Sequence, residues 1–271
     1  MPESTRAGAE IAAALAPLTD DPGNAAILLD LDGTLAPIVG RPEDATVPSA
    51  SRELLERAVG TYGLVAVVTG RRAEDARRIV AVPALTYAGI HGFELLRPGA
   101  GEAELAPLVA EVAGDAPGFA DRADGEALSR AGLRREDKGP IVALHWRAAP
   151  DEAAAERIAS SLAAEAEAEG LVTHRGRMVL ELRPPVAIDK GRVVGELLDE
   201  AGSRAALYAG DDRTDLDAFV ELARRRDSGG LDAIVRVGVR SEEGPAEIAE
   251  RADLTLEGQG DVVELLQALS R

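Results

Sequence analysis

The stretch that decides the fold is ILLDLDGTLAPI, residues 27–38. A short apolar run enters two aspartates one residue apart, followed by Gly, Thr and a second apolar segment. An apolar run of this length, closed by polar residues, suits a buried strand. Side chains alternate along a strand, so a strand over 25–31 puts Asp30 and Asp32 on one side and Leu31 on the other. Two like charges that close repel, and burial sharpens the repulsion. The pair asks for a cation, a shared proton or open solvent.

Working outward, further apolar runs follow at 64–70 (LVAVVTG) and 84–90 (ALTYAGI), with helical spacing at 51–60 and 72–81. After Lys190 the alternation resumes with a helix over 192–201, a strand over 205–210, a helix over 214–225 and a strand over 233–239. A helix from Pro245, a short run at 254–257 and a last helix from Gly260 complete it. Strands alternating with helices predict a parallel sheet covered on both faces.

The middle differs. It reads as a helix near 103–113, β-like runs at 133–138 and 140–147, an alanine-rich helix over 150–169, and two more runs around a turn at Gly176. That αββαββ order suits a small antiparallel sheet with two helices. The expected class is therefore α/β: a Rossmann-like doubly wound parallel sheet core from 1–99 and 186–271, with an inserted α+β cap at 100–185. The flanks RPGAGE (97–102) and RPPV (183–186) carry the Pro and Gly of hinges.

A chain of 271 residues, 46% apolar, has material for one large domain or two linked ones. No apolar run approaches the roughly 18–20 residues of a membrane span. Residues 1–17 lack the basic region and continuous apolar stretch of a signal peptide. Without cysteine there is neither disulfide framework nor thiolate metal site. A cytoplasmic protein with no membrane partner is expected. The net charge of −18 argues against a nucleic-acid partner, although solubility alone also accounts for it. A small phosphorylated ligand remains compatible, since a local field can oppose the global one. Of the 30 basic residues 28 are arginine, and lysine stands only at 138 and 190. Lysine is a compact point charge where arginine is a wide planar fork, so these two positions draw attention.

In open parallel sheets ligands sit beyond the carboxyl ends of the strands. Four polar clusters fall there: DLDGT (30–34), TGRR (69–72), DKG (189–191) and GDDRTD (210–215). In this order they resemble the signature of the haloacid dehalogenase superfamily of phosphotransferases. The resemblance implies Asp30 as a nucleophile that forms an aspartyl phosphate, and Asp32 as general acid and then base. It implies Thr69 and Lys190 as phosphate binders, with Gly70, Arg71 and His91 on the substrate side; His91 could equally only orient a loop. Asp30, Asp32 (through its backbone carbonyl), Asp211, Asp212 and Asp215 would form the metal site, with Asp211 a direct ligand and Asp212 and Asp215 supporting. An oxygen-only set favours Mg²⁺.

Further patterns resemble trehalose-6-phosphate phosphatases: DLDGTLAPIVGRPEDA (30–45), GIHGFEL (89–95), E-D-K followed by H-W-R (136–147), GRMVLELRP (176–184) and GDDRTDLDAF (210–219). On this match Glu136, Lys138, His145, Arg147 and Glu181 would bind sugar hydroxyls, with a mobile cap excluding water. Glu136, Lys138 and Arg147 could otherwise be an exposed charge ladder. One of His145 and Trp146 could be core, and His174 matches no pattern and reads as surface. Leu216 and Trp146 depart from the family, which often has Glu and Tyr there. The implied activity is Mg²⁺-dependent hydrolysis of trehalose 6-phosphate, with functional coupling to a trehalose-6-phosphate synthase. Alternatives are a phosphatase for sucrose phosphate or a glycosyl-3-phosphoglycerate, or a non-catalytic sugar-phosphate sensor.

Overall fold

Every residue of the first strand, Ala25–Leu29, is buried, and alternate side chains feed two separate apolar layers. A central strand of a helix-covered parallel sheet requires such two-faced burial. The computed structural model describes residues 3–39, 41–123, 125–176, 178–241 and 244–270. The chain divides into two units, Met1–Glu104 with Ile188–Arg271, and Leu105–Ala187.

In chain order the first elements are α1 (Glu3–Thr19), β1 (Ala25–Leu29), α2 (Ser49–Val59), β2 (Leu64–Val68), α3 (Ala73–Val80), β3 (Thr86–Gly89), β4 (Glu94–Leu96) and β5 (Glu104–Leu105). The smaller unit holds α4 (Pro107–Ala110), α5 (Asp115–Arg122), α6 (Gly125–Arg130), β6 (Arg134–Lys138), β7 (Ile141–His145), α7 (Glu152–Ala168), β8 (Val172–Gly176) and β9 (Val179–Arg183). The larger unit resumes with α8 (Lys190–Ala201), β10 (Ala205–Gly210), α9 (Asp215–Asp227), β11 (Ala233–Val239), α10 (Ala246–Arg251), β12 (Leu254–Leu256) and α11 (Gln259–Leu269).

The large sheet runs β12-β11-β10-β1-β2-β3-β4-β5. Strands β12 through β3 are parallel, and β4 turns back antiparallel onto β3. Ile27 and Leu29 share one core with Leu15, Leu54, Leu55 and Leu265, from α1, α2 and α11. Ala26 and Leu28 share the other with Val194, Leu197 and Phe219, from α8 and α9. The chain leaves β1 toward β2 and β3, then returns to place β10 on the other side. The carboxyl ends of β1 and β10 flank this reversal, where a crevice opens in doubly wound sheets. Among the described residues, no helix is long and apolar enough to cross a membrane.

The smaller unit carries an antiparallel sheet in the order β6-β7-β9-β8. Val142, Leu144, Leu180 and Leu182 pack on Phe119, Ala155, Ala159 and Ala163, from α5 and α7. The single helix expected near 103–113 does not form. That stretch holds β5 and the one-turn α4, and α5 and α6 follow. Pro107 opens α4, Gly114 precedes α5, and Pro117 lies in the first turn of α5, where a missing N–H costs nothing. These breakers divide the segment into short helices. Gly176 ends β8; Arg177, part of the turn expected there, lies outside the described residues.

Candidate active site

The strand expected over 25–31 stops at Leu29. Asp30 still donates its N–H to the Ala209 carbonyl at 2.8 Å, but the chain then turns, and Asp32 bridges to Ala36. The two carboxylates therefore do not share one strand face, and they take different cations. Asp30 Oδ1 lies 2.6 Å from Lys190 Nζ. Asp32 is gripped by Arg71, with Nε 2.7 Å from Oδ2 and Nη2 2.6 Å from Oδ1.

Lys190 is the first residue of α8, whose N-cap Asp189 accepts the Arg192 N–H at 2.8 Å. Its ammonium also lies 2.6 Å from Asp215 Oδ1. Asp215, fully buried at the start of α9, accepts the Tyr208 hydroxyl at 2.7 Å. Its other oxygen accepts the N–H groups of Asp211 and Asp212, at 3.0 and 2.9 Å. Asp215 thus organises the loop after β10. Gly33 lets the loop after β1 reach it: a Cβ there would come within 2.1 Å of Asp211 Oδ2, and its φ of +88° disfavours any side chain.

Asp30, Asp211 and Asp215 each offer an oxygen within 4.8 Å of the others, and all three are buried. One ammonium faces three carboxylates. Burial raises the Asp30 pKa well above the usual carboxylate range, against the pull of Lys190. Burial, then Asp215, pushes Asp211 up to about 7. Burial alone would lower Lys190, but Asp215 and Asp30 outweigh it and raise its pKa. Among the described residues, the buried Asp211 Oδ1 has no hydrogen-bond partner. Excess negative charge, an orphaned buried oxygen and an all-oxygen donor set fit a hard divalent cation.

Two aspartates expected at the metal site, Asp32 through its backbone carbonyl and Asp212 in support, are not among these three carboxylates. The Asp32 carboxylate is drawn to Arg71, and the Asp212 side chain is exposed, its N–H alone reaching Asp215.

The TGRR residues stand at the carboxyl end of β2. Thr69 is buried; its hydroxyl accepts the Arg71 N–H at 3.2 Å and its carbonyl the His91 N–H at 2.8 Å. The His91 ring lies over Gly70, where a Cβ would come within 2.8 Å of Cε1. Thr69, Gly70, Arg71 and His91 therefore form one corner. Glu94, buried nearby in the chain, accepts the Ala73 N–H that opens α3 at 2.6 Å, and burial raises its pKa.

In the smaller unit the register aligns Glu136, Ala143, Glu181 and His174 in one row across the sheet. Directly paired residues share a face, here the one opposite the helices. Lys138 Nζ lies 3.1 Å from Glu181 Oε1, and His145 Nε2 lies 2.7 Å from Glu136 Oε2. The hydrogen bond from His145 is the main cause of a lowered Glu136 pKa. Trp146 is in the core beneath, while Arg147 is exposed in the turn after β7. His174 is exposed, as its sequence context suggested.

Sequence reasoning overlooked Tyr208, Arg183 and Glu94. Tyr208 stands two residues before GDD inside an otherwise aliphatic strand. Arg183 Nε lies 3.0 Å from Glu181 Oε2, and their spacing of two already put them on one face. Glu94 fell inside a quoted pattern, but its helix-capping role needs the packed structure.

A family model described as trehalose-phosphatase matches residues 28–252. An uncharacterized glycosyl hydrolase of Mycobacterium tuberculosis is 42% identical over 202 residues, covering 72% of this chain and 15% of the relative. A trehalose-phosphate phosphatase of Mycobacterium avium is 32% identical over 258 residues, covering 87% of this chain and 64% of the relative. The chain spans less than two thirds of either relative's length. Among solved structures, the C-terminal domain of C. albicans trehalose-6-phosphate phosphatase superposes with a TM-score of 0.70, covering 96% of both chains. At 20% identity that likeness is one of fold.

Proposed function

The chain belongs to the trehalose-phosphatase family, and on that premise we propose that it hydrolyses trehalose 6-phosphate to trehalose and inorganic phosphate. The observation that carries this reading is the buried ammonium of Lys190, 2.6 Å from both Asp30 and Asp215, beside Asp211.

Asp30 acts as the nucleophile. Its carboxylate forms a bond to phosphorus as the bond from phosphorus to the sugar oxygen breaks. Asp32 gives that oxygen a proton, then takes one from the water that attacks the aspartyl phosphate. This second attack breaks the bond between phosphorus and the Asp30 oxygen, releasing phosphate and restoring the carboxylate. Lys190 and Thr69 hold phosphoryl oxygens, with Gly70, Arg71 and His91 completing the corner. Asp30, Asp211 and the Asp32 carbonyl, with Asp212 and Asp215 in support, would hold Mg²⁺. Bound there, the ion supplies charge neutralisation for the carboxylates and the phosphoryl group.

For the sugar, the reading assigns Glu136, Lys138, His145, Arg147 and Glu181. Paired acceptors and donors around the small Ala143 suit a polyhydroxylated ligand. A trehalose-6-phosphate synthase is the natural supplier of substrate. Phosphate release from a panel of sugar phosphates, with and without Mg²⁺, tests the reading. Trehalose 6-phosphate should be hydrolysed far faster than the others; preference for sucrose phosphate or a glycosyl-3-phosphoglycerate would replace it.

A further inference from the structure

Alternate residues of the loop after β2 are tied to one segment, 89–94. The Thr69 carbonyl accepts the His91 N–H and the Arg71 carbonyl accepts the Ile90 N–H, both at 2.8 Å. Glu94 supplies the next tie, its Oε1 accepting the Ala73 N–H at 2.6 Å. The first two ties are backbone bonds that no side-chain substitution removes. The tie at Ala73 depends on a side chain.

The segment that makes these ties is itself fixed. Ile90 and His91 hold positive φ, 51° and 58°. A β-branched residue adopts that conformation only where its surroundings over-determine it. Gly89 pairs with Glu94 between β3 and β4, and a Cβ at Gly89 would come within 2.4 Å of Ala73 N. That close approach of backbones brings Ala73 within reach of the carboxylate.

The place of Glu94 is a costly one for a carboxylate. It is 3% exposed, and a buried polar group is retained where it is hydrogen-bonded. Capping α3 needs no such burial, since Ser, Thr, Asp or Asn at the N-cap would accept a helix N–H locally. Arg72 stands there instead, and among the described residues its side chain makes no capping bond. The acceptor comes from β4, 21 residues beyond Ala73. A local cap would hold only the helix. Glu94 holds the end of the loop to the same segment that holds its beginning and middle.

We propose, resting on the phosphatase reading above, that Glu94 is a positioning residue for phosphate binding. By fixing Ala73 it closes the loop over 69–72. It thereby sets where the Thr69 hydroxyl, the Gly70 backbone and the Arg71 side chain meet a phosphoryl group. It touches neither the substrate nor the reacting atoms. A loop freed at one end places its donors less well, and a displacement of about 1 Å can cost roughly 100-fold.

The test compares the natural protein with Glu94→Leu and Glu94→Gln, hydrolysing p-nitrophenyl phosphate in Mg²⁺ with orthovanadate as inhibitor. Each is assayed at a temperature where circular dichroism shows it folded. Leucine fills similar space without an acceptor, whereas glutamine keeps a carbonyl oxygen for the Ala73 N–H. Glu94→Leu should raise KM and the vanadate inhibition constant by roughly 10–100-fold. Glu94→Gln should stay within about threefold of the natural protein, a neutral acceptor replacing a charged one. If Glu94→Leu does not fold, Glu94→Asp, whose shorter side chain draws the acceptor back, carries the same prediction. A role confined to capping α3 would lower the melting temperature and leave both constants unchanged. That result overturns the proposal, as does an equal loss in Glu94→Gln. A natural protein that releases phosphate from neither this ester nor trehalose 6-phosphate overturns the phosphatase reading instead.

Discussion

Lys190 Nζ lies 2.6 Å from Asp30 Oδ1, a buried contact that ties the end of β1 to a helix 160 residues later. The two side chains are 3% and 6% exposed, so removing one partner strands the other in a low-dielectric site. In metal-free buffer Lys190→Met should cost roughly 3–5 kcal/mol of stability. Urea unfolding of both proteins measures it. A loss below about 1 kcal/mol would mean that Asp30 and Asp215 are far less dependent on the ammonium than their geometry indicates.

The carboxylates of Asp30, Asp211 and Asp215 outnumber the single ammonium among them, so a divalent cation should stabilise the fold. Mg²⁺ at about 100 times its dissociation constant adds about 2.7 kcal/mol, read as a rise in melting temperature. Asp211→Asn, which removes one charge from the cluster, should shrink that rise. Phosphatase activity should vanish in excess chelator and return with Mg²⁺. An identical rise in both proteins, or full activity in chelator, contradicts the assignment of the cluster.

Much of this arrangement is legible in the sequence because it depends on local alternation. Apolar runs ending in polar clusters locate β1, β2, β10 and their loops, and the strand-end rule then gathers DLDGT, TGRR, DKG and GDDRTD. The two lysines that survive among arginines both lie in ion pairs, Lys190 with Asp30 and Asp215, Lys138 with Glu181. What escapes is tertiary. The apolar run from Ile27 passes straight into the alternating Asp30-Leu31-Asp32, so nothing local shows that β1 stops at Leu29 or that Asp32 turns to Arg71, 39 residues away. Ile11, Leu15 and Leu18 carry helical spacing, but the alanine-rich context of α1 hides which face is buried. At 103–113 apolar spacing suggests one helix, and Pro107 and Gly114 outweigh it.

Lys138 separates sugar recognition from core chemistry. It pairs with Glu181 on the polar face of the smaller sheet. Lys138→Ala should lower kcat/KM for trehalose 6-phosphate by roughly 10–1000-fold. Hydrolysis of p-nitrophenyl phosphate, which offers no sugar, should change little. Remote contacts also contribute to transition-state binding, so part of the loss should fall in kcat. Equal losses on both substrates would show Lys138 supporting the fold instead. No loss on either would leave the contact with Glu181 as a charge ladder.

The central claim is that Asp30 carries the phosphoryl group during hydrolysis of trehalose 6-phosphate. Asp30→Asn keeps the shape of the side chain but offers an amide, a poor nucleophile, to phosphorus. The decisive measurement is phosphate release from trehalose 6-phosphate in Mg²⁺ by the natural protein and by Asp30→Asn, each confirmed folded by circular dichroism. Sustained turnover by the first and none above background by the second is the predicted result. Near-normal turnover by a folded Asp30→Asn protein would contradict it.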